Sequence, residues 1–343
     1  MADSITHSES VIDIGGSKTK RRLQRSIAAK IIGFDSEGRH FLPDIFFSDD
    51  DGLQIWRDIN RLPDYYQTRD EIETLEKYGA ELESFIPNKC TILDLGCGDV
   101  RKTKPLLDRL ETSGKDIFYF GLDLSLKAVQ GNIDGLRATH KNIQCTGLWG
   151  TFEDGLEWAK GIEGPMLYLS LGSIFANDRL PRAIRYLQPW HDALRPDDLM
   201  LIGVDCLQDP ELVWKSYHDT AGVFERFIRN AFAYSNRVVG VEWFRDEDWD
   251  IRGELELNPV AHHFVLRAVR DVDGGESGIS FKKDDEITCY GGYKQTPSLV
   301  RQQFQAVSLT EIACWPSPSG KICECSRPLT RLWYLLSFSN GRN

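Results

Sequence analysis

Between residues 91 and 204 the chain alternates short apolar runs with stretches that carry a helical spacing of apolar residues. The apolar runs predict strands at 91–95, 117–124, 143–148, 166–171 and 199–204. The helical spacing predicts helices at 102–110, 126–139 and 180–194. Strands that alternate with helices form βαβ units, in which the strands are parallel and both faces of the sheet are covered. The pattern therefore predicts an α/β fold built on a parallel sheet.

The regions on either side follow different patterns. Residues 1–30 are polar and are expected to fray at their start, whereas 44–70, 69–85 and 208–236 have helical spacing, the last interrupted at Gly222. Later apolar runs predict strands at 262–269, 279–281, 286–290, 312–315 and 332–338, with a turn at Gly274-Gly275. Because these strands do not alternate with helices, we expect them to build a second domain that forms a lid or binds a substrate.

The net charge and the lengths of the apolar runs argue against several classes of partner. The 343 residues include 41 basic and 52 acidic side chains, a net charge of −11, whereas a nucleic-acid-binding surface is normally basic. The apolar runs are far shorter than the roughly 20 residues of a membrane span, and no apolar leader follows Met1. The 8 cysteines lack the spacing of a disulfide scaffold, which predicts free thiols in a reducing compartment. We expect a cytoplasmic monomer with a small-molecule substrate and neither nucleic acid nor membrane as partner.

Two pairs of potential metal ligands are weak candidates for a site. Cys323 and Cys325 have no matching cysteine pair or histidine nearby, so a surface hairpin is the simpler interpretation. His262 and His263 are neighbours on a predicted strand, where successive side chains point to opposite faces. We therefore expect no metal site.

The clearest chemical signal is the sequence Asp94-Leu-Gly-Cys-Gly98, which follows the first strand of the alternating region. Glycines let a backbone approach a ligand closely, and the next helix offers unpaired N–H groups at its start. A dinucleotide-binding loop would have a third glycine where Arg101 stands, and here Asp123 ends the next strand. The arrangement resembles the S-adenosylmethionine site of class I methyltransferases. An ordinary turn, with Asp94 as a helix cap or a surface acid, is the alternative.

Longer motifs resemble one branch of that superfamily. The sequences at 62–69, 171–177 and 217–223 are similar to motifs of the histidine Nα-methyltransferases of ergothioneine biosynthesis. The sequence at 150–158 is more similar to the dimethylallyltryptophan N-methyltransferases of ergot-alkaloid pathways, which belong to the same family. The resemblance runs from about residue 42 to the C-terminus. It implies a class I, Rossmann-like methyltransferase sheet with a second, smaller substrate-binding α+β domain.

The resemblance also implies the cofactor, S-adenosyl-L-methionine, and the residues that bind it. Gly96, Lys102 and Asp123 fall where the family holds the methionine portion and the ribose, and Gly98 belongs to the same turn. In this family the second-strand acid accepts both ribose hydroxyls. Thr151 and Phe152 fall on the adenine contacts, where the histidine enzymes have Asp-Phe, so Thr151 departs from the family and weakens one base contact.

For the domains, the resemblance implies a cofactor domain of 62–207 plus 297–343 and a capping substrate domain of 1–61 plus 208–296, with the tail returning to the sheet. The implied substrate-binding residues are Trp56, Tyr65, Asn177, Tyr217, Phe264, Tyr290 and Gly292. Of these, Asn177 and Tyr217 match residues that hold the amino-acid carboxylate, and Trp56 matches a pocket-lining aromatic residue.

Each of these assignments has a structural alternative. Tyr65 follows Pro63 and is also consistent with a packed turn, and Asn177 with the N-cap of the helix predicted from Leu180. Tyr217 and Trp56 are also consistent with core residues of their helices.

Departures from the family bear on the substrate. The histidine enzymes bind imidazole through a glutamate and a serine, where our alignment puts Tyr290 and Gly292, with a possible shift of one residue across Gly291-Gly292. Phe264 replaces a methionine and Ser48 replaces a tyrosine of the same pocket. Fewer acceptors and more aromatic area favour a larger, flatter ring than imidazole. We therefore expect tryptophan or a prenylated tryptophan, with tyrosine and phenylalanine as further options.

The expected reaction needs no catalytic side chain, because a neutral amine attacks a sulfonium methyl group directly once the two are aligned. Catalysis would be positioning by Asn177 and Tyr217. Three other functions remain as alternatives: histidine Nα-trimethylation for ergothioneine biosynthesis, a nicotinamide-dependent oxidoreductase, and a methyltransferase-fold scaffold without activity.

Overall fold

The structure is a computed structural model that describes residues 10–19, 33–34, 39–273, 280–318 and 331–338. Backbone contacts divide the chain into two units. The first unit consists of the described parts of Met1–Ser17, Tyr66–Gln208 and Lys294–Asn343. The second unit consists of the described parts of Lys18–Tyr65 and Asp209–Tyr293.

Strands and helices are numbered separately in chain order. The strands are β1 Val11–Asp13, β2 Gly33–Phe34, β3 His40–Phe41, β4 Cys90–Leu95, β5 Ile117–Asp123, β6 Ile143–Trp149, β7 Met166–Ser170, β8 Leu199–Asp205, β9 Trp249–Leu257, β10 Val260–Ala268, β11 Val272–Asp273, β12 Ser280–Phe281, β13 Glu286–Tyr293, β14 Leu309–Pro316 and β15 Arg331–Phe338. The helices are α1 Asp50–Ile59, α2 Tyr66–Phe85, α3 Lys104–Ser113, α4 Leu126–Thr139, α5 Phe152–Ala159, α6 Leu180–Ala193, α7 Pro210–Tyr217, α8 Val223–Val239 and α9 Pro297–Ala306. Short 3-10 turns occupy Asp44–Phe47 and Asp246–Asp248.

The first unit is built on a sheet whose described strands follow the order β1-β6-β5-β4-β7-β8-β15-β14. The strands from β1 to β8 pair in parallel, whereas β15 pairs antiparallel with both β8 and β14. Chain order therefore reverses at β4, whose neighbours are β5 and β7. Such a reversal opens a crevice at the carboxyl ends of the strands, where open α/β sheets bind their ligands.

Both faces of this sheet are buried, which explains the continuous apolar runs of the sequence. Successive residues of β4 point to opposite faces, so that Leu93 and Leu95 join one core cluster and Ile92 joins the other. Each fully buried leucine or isoleucine stabilises the fold by about 1.5–3 kcal/mol. This packing fixes the strand ends that carry the polar residues described below.

The second unit contains a smaller sheet whose described strands follow the order β2-β3-β13-β10-β9. Its central strand, β10, pairs antiparallel with β9 and β13. The helix α1 begins at Asp49, whose carboxylate accepts from Gly52 N at 2.8 Å. The helix α8 begins after Gly222, which has a φ of +67°. The described pairs of this sheet are antiparallel except for β3 with β13, which pair in parallel. A mainly antiparallel sheet with helices is an α+β arrangement, as expected for the smaller domain.

The strands and helices predicted for the alternating region are confirmed, but that region also contains α5, which the prediction lacked. The expected helix at 44–70 is interrupted, because Asp49 caps α1 and Asn60 ends it before α2 starts at Tyr66. The break expected near Gly222 is confirmed. The described strands and helices missing from the prediction are β1, β2, β3, β9, β11, α5 and α9.

The late strands belong to different sheets. The runs at 312–315 and 332–338 were expected in the lid, but β14 and β15 extend the first-unit sheet, as the family resemblance implied for the tail. The domain limits also differ at the N-terminus, since β1 pairs with β6 and thereby joins the first unit. Tyr65 falls in the second unit.

Several sequence predictions lie outside the described residues: the fraying start of the chain, the turn at Gly274-Gly275, and the Cys323 and Cys325 pair. Within the described part, no helix has the length and apolar character needed to cross a bilayer.

Candidate functional site

The turn after β4 lies at the point where the sheet order reverses. Gly96 and Gly98 have φ values of +68° and +42°, a left-handed region that glycine adopts without a steric penalty. A Cβ atom at Gly96 would lie 3.4 Å from Phe152 Cζ and 3.4 Å from Ile174 Cδ1. The structure therefore brings Gly96 and Phe152, which the sequence predicted as cofactor contacts, next to each other.

The carboxylate of Asp123 holds this turn in place. Asp123 ends β5 and is 8% exposed. Its Oδ2 accepts from Gly98 N at 2.9 Å, and its Oδ1 accepts from Leu124 N at 2.7 Å. The second-strand acid and the glycine turn are thus joined directly by a hydrogen bond.

Asp94 is neither a surface acid nor a helix cap. It is 2% exposed, and its Oδ2 accepts from Thr103 Oγ1 at 2.7 Å and from Tyr119 Oη at 2.8 Å. Burial raises the pKa of the Asp94 carboxyl to about 6, although both hydrogen bonds act in the opposite direction. Asp94 therefore connects the end of β4 to the start of α3 through a buried hydrogen bond.

Lys102 lies within a group of buried charges. Its Nζ is 3.1 Å from Glu71 Oε2, and Glu71 Oε1 accepts from Arg331 Nη2 at 2.7 Å. Glu71 Oε1 also accepts from Gly172 N at 2.5 Å. Burial by itself would raise the pKa of Glu71, but the charges of Arg331 and Lys102 hold it below its usual value. Glu71 is therefore a carboxylate at neutral pH.

Thr151 and Phe152 begin α5. The Thr151 Oγ1 accepts from Asp154 N at 3.2 Å, while Thr151 N donates to Asp154 Oδ2 at 3.1 Å. This reciprocal pair is a capping box, which satisfies N–H groups that the first turn of a helix leaves without partners. The hydroxyl at position 151 thus has a structural task in addition to the adenine contact predicted for this residue.

Asn177 lies in the loop between β7 and α6 and is exposed. The N-cap of α6 is Arg179, so the alternative that Asn177 caps this helix is wrong. The buried Gln295 fixes the loop, because its Nε2 donates to Ala176 O at 2.9 Å and to Asp178 O at 2.8 Å. The peptide groups on both sides of Asn177 are therefore held in place.

In the second unit, aromatic rings surround Tyr290. Ring centroids lie 5.6 Å from it for Trp56, 5.3 Å for Phe227 and 5.6 Å for Phe47. Tyr65 packs edge-to-face on Trp56 at 5.7 Å and is 3% exposed. We call Phe47, Trp56, Tyr65, Phe227 and Tyr290 the aromatic cluster.

A β-bulge points Tyr290 into this cluster. In the pairing of β10 with β13, His263 lies opposite Gly291 and Phe264 opposite Cys289, which leaves Tyr290 without a direct partner. Bulges re-aim side chains in this way. Gly292 is buried and lies opposite His262. The bulge falls where our alignment allowed a shift of one residue.

Tyr217 packs on the buried His262, which contacts the half-buried His218. Its ring stacks on His262 with centroids 4.5 Å apart and planes 7° apart. The Nε2 atoms of His262 and His218 are 3.0 Å apart, and Phe264 lies edge-on to Tyr217 at 6.5 Å. Burial lowers the pKa of His218, while Asp219 acts in the opposite direction. Tyr217 is 2% exposed, so it is also a core residue, as the alternative proposed.

Comparison with known families decides the identity. Residues 26–326 match the profile of a family described as histidine-specific methyltransferase, SAM-dependent.

The chain belongs to this family of S-adenosylmethionine-dependent methyltransferases. The membership confirms the expected class I α/β fold and the cofactor, S-adenosylmethionine. It argues against the alternative of a nicotinamide-dependent oxidoreductase. The polar groups at the turn fit this cofactor chemically: the Lys102 ammonium can donate to a carboxylate, the Asp123 carboxylate can accept from hydroxyl groups, and the glycines leave room for a ligand.

Relatives in this family carry two kinds of name. The chain is 35% identical to ergothioneine biosynthesis protein 1 of Neurospora crassa, over 90% of this chain and 35% of that protein. It is 28% identical to a 4-dimethylallyltryptophan N-methyltransferase of Penicillium roqueforti, over 80% and 85% of the two chains. It is also 28% identical to a histidine N-alpha-methyltransferase of Mycobacterium tuberculosis, over 81% and 87%. The chain spans about a third of the length of the first curated relatives that it matches.

The sequence patterns did not identify three polar residues of this methyltransferase that hold site residues in place. Glu71, Gln295 and Arg331 lie far from the glycine turn along the chain, and no local motif surrounds them. Arg331 has a weak signal, because it is a charged residue directly before the apolar run of β15, whereas Glu71 and Gln295 stand among polar neighbours and have none.

Proposed function

We propose that this methyltransferase transfers methyl groups to the α-nitrogen of an aromatic amino acid, with L-tryptophan or a prenylated tryptophan as the preferred substrate. The observation that carries the proposal is the residue at position 290. It is a tyrosine within an aromatic cluster, where the histidine enzymes that the sequence resembles have a carboxylate.

The character of Tyr290 argues against an imidazole substrate. Burial, together with Tyr65 and Tyr217, raises the pKa of Tyr290, so the phenol stays neutral, and its hydroxyl is hydrogen-bonded to Tyr65. A neutral phenol binds an imidazole N–H less strongly than a carboxylate does, because charge-assisted hydrogen bonds are about twice as strong as neutral ones. The position therefore favours a substrate ring that needs little polar contact.

The surroundings of Tyr290 favour a large, flat ring. Trp56 and Phe227 each form a T-shaped pair with Tyr290, and Phe264 stacks on Phe224 at 5.8 Å. Aromatic pairs in offset or edge-to-face geometry contribute about 0.5–1.5 kcal/mol beyond the burial of their area. Indole has one N–H donor and a large apolar surface, which suits such residues better than imidazole.

The protein's part in the reaction is binding and orientation. The bound cofactor supplies an electrophilic methyl group. Asn177 and Tyr217 bind the substrate carboxylate, which leaves the α-amino group as the nucleophile. That amine reacts after losing a proton, and a desolvated site lowers the pKa of an ammonium group. Precise alignment of amine and methyl group then accounts for most of the rate.

Substitutions of the two carboxylate ligands test this proposal. Asn177→Ala and Tyr217→Phe should each raise the KM for the amino acid about tenfold or more, as expected for a lost hydrogen bond to a charged group. The Kd for S-adenosylmethionine, measured by titration calorimetry, should stay at its wild-type value. Wild-type KM values in both variants would show that the substrate carboxylate binds elsewhere.

Histidine Nα-methylation is the second candidate function. The family description and the name of the Neurospora crassa relative favour it. An acid also lies near the cluster, since the charge of Asp44 contributes to the raised pKa of Tyr290, although Asp44 itself is exposed. Incubation of the purified chain with labelled cofactor and each of the twenty amino acids separates the two candidates by the methylated product.

The quaternary and cellular context stays a prediction from the sequence: a cytoplasmic monomer without a nucleic-acid or membrane partner. Light scattering after size-exclusion chromatography tests the monomer directly. A scaffold role without catalysis predicts that none of the twenty amino acids is methylated.

A further inference from the structure

We propose that Glu71 is a positioning residue that holds the Lys102 ammonium where it receives the carboxylate of the cofactor. The inference rests on the proposed cofactor contact of Lys102. It extends the site to residues of α2 and β15 that no sequence motif of the glycine turn includes.

Glu71 is fixed from several directions. It lies on α2 with an exposed fraction of 0%, and Arg331 of β15 donates to its Oε1 at 2.7 Å. Gly172, just after β7, donates to the same oxygen at 2.5 Å. A Cβ atom at Gly203 of β8 would lie only 2.9 Å from Oε1, so the carboxylate packs directly on the sheet. Three neighbouring strands of the first unit therefore determine where Glu71 lies.

The second oxygen of this fixed carboxylate faces Lys102. The distance from Glu71 Oε2 to Lys102 Nζ is 3.1 Å, and the Lys102 side chain is 14% exposed. Lysine carries a point charge on a flexible four-carbon stem, so an unrestrained lysine loses side-chain entropy when it is ordered by a ligand. An ammonium that is already held by a buried carboxylate loses less of this entropy when it binds a ligand.

The backbone leaves space for this arrangement. Gly172 has a φ of +85°, and a Cβ atom there would lie 3.2 Å from Lys102 Nζ. The ammonium therefore lies between the turn after β4 and the loop after β7, at the reversal point of the sheet. It lies near Asp94, because the charge of Lys102 acts to lower the pKa of the Asp94 carboxyl.

A purely structural role would also explain a buried ion pair. Removing one partner of such a pair usually destabilises a protein, because the other charge stays buried. Stability alone is therefore not a sufficient test. A sufficient test is the recognition of the cofactor carboxylate. A purely structural role of Glu71 would not change the preference between two cofactors that differ only in that group.

The experiment compares the Kd values of S-adenosylmethionine and of decarboxylated S-adenosylmethionine by titration calorimetry. The Kd ratio, defined as the Kd of decarboxylated S-adenosylmethionine divided by the Kd of S-adenosylmethionine, measures how strongly the protein recognises the carboxylate. A lower ratio means weaker recognition. The variants are Lys102→Met, Glu71→Gln and the double variant, with unfolding temperatures recorded for each. Lys102→Met leaves Glu71 paired with Arg331, so no lone charge is created.

Asp198→Asn is the matched control. Asp198 is 1% exposed and pairs with Arg195 at 2.9 Å, but it lies at the amino ends of β7 and β8, where its Oδ1 accepts from Met166 N. It should lower the unfolding temperature without changing the Kd ratio.

We expect the ratio to fall about tenfold or more in Lys102→Met, which corresponds to 1.4 kcal/mol or more. Glu71→Gln should cause most of the same fall, because Lys102 and Arg331 then repel each other and the lysine leaves its position. The double variant should show no further fall. If Glu71→Gln does not fold, Glu71→Asp, which keeps the charge but shortens the reach, should lower the ratio instead.

Two outcomes overturn the inference in different ways. A wild-type ratio in Lys102→Met would show that the proposed cofactor contact itself is wrong. A reduced ratio in Lys102→Met with an unchanged or increased ratio in Glu71→Gln would leave the contact intact and show that Glu71 only neutralises the lysine.

Discussion

At the scale of single residues, Gly96 and Gly114 have nearly the same backbone conformation, with φ values of +68° and +73°. Alanine at either position should therefore cost about 1 kcal/mol of folding free energy. A Cβ atom at Gly96 would enter the turn beside Phe152, whereas one at Gly114 would meet nothing within 4 Å. We expect Gly96→Ala to weaken S-adenosylmethionine binding about tenfold or more, and Gly114→Ala to leave it unchanged. Equal Kd values by calorimetry in the two variants would contradict the role of this turn.

Asp94 gives a prediction about pH and stability. Burial raises its pKa to about 6 in the folded state, against about 3.9 in an unfolded chain. The folded state therefore binds a proton that the unfolded state releases between about pH 4 and pH 6. Across this window the contribution of Asp94 to stability falls as pH rises, and above it the contribution stays low.

Asp94→Asn removes this titration. The unfolding free energy of the variant, minus that of the wild type, should increase by about 2–3 kcal/mol between pH 4 and pH 7. Urea denaturation at both pH values measures it. A constant difference would show that Asp94 does not titrate in this range.

The residues predicted from the sequence are those in a local motif. The apolar run of β4, the two glycines and Asp123 predict the turn, because these residues form a recognisable motif in the sequence. Glu71, Arg331 and Gln295 act through contacts between distant segments, and a single sequence contains no signal for such pairs. Burial of Asp94 was missed because an acid in a motif is equally consistent with a surface position.

At the scale of secondary-structure elements, the start of α5 links stability to the adenine contact predicted at position 151. Thr151→Ala removes the capping hydroxyl and should cost about 1 kcal/mol of stability. Thr151→Asp keeps a capping oxygen and supplies the carboxylate of the histidine enzymes. We expect Thr151→Asp to retain the wild-type unfolding temperature and to bind S-adenosylmethionine more tightly, with calorimetry and thermal unfolding as measurements. Weaker binding by Thr151→Asp would contradict the predicted adenine contact.

Elements were predictable where both faces are buried. The continuous apolar runs of β4, β5 and β7 identify them, whereas β9 mixes charged and apolar residues and exposes part of one face. The three residues of β1 lie in a polar stretch and become a strand only by pairing with β6. Apolar runs predict that β14 and β15 are strands but not which sheet they join, because pairing depends on distant residues.

At the scale of the whole molecule, the central claim is the choice of tryptophan over histidine. Histidine bound without a carboxylate at position 290 would leave ring N–H groups poorly paired, at a cost of about 1–3 kcal/mol each. Indole gains aromatic contacts of about 0.5–1.5 kcal/mol with rings such as Trp56 and Phe264. Together these differences predict a preference of about 100-fold or more in kcat/KM.

The most direct test is a competition between equimolar tryptophan and histidine, with the purified chain and S-adenosylmethionine, read by mass spectrometry with fragmentation. We expect methylated tryptophan as the dominant product, with the methyl groups on the α-nitrogen, because Asn177 and Tyr217 are proposed to hold the carboxylate. Methylhistidine as the dominant product would contradict the proposed specificity, and methyl groups on the indole ring would contradict the proposed carboxylate contacts.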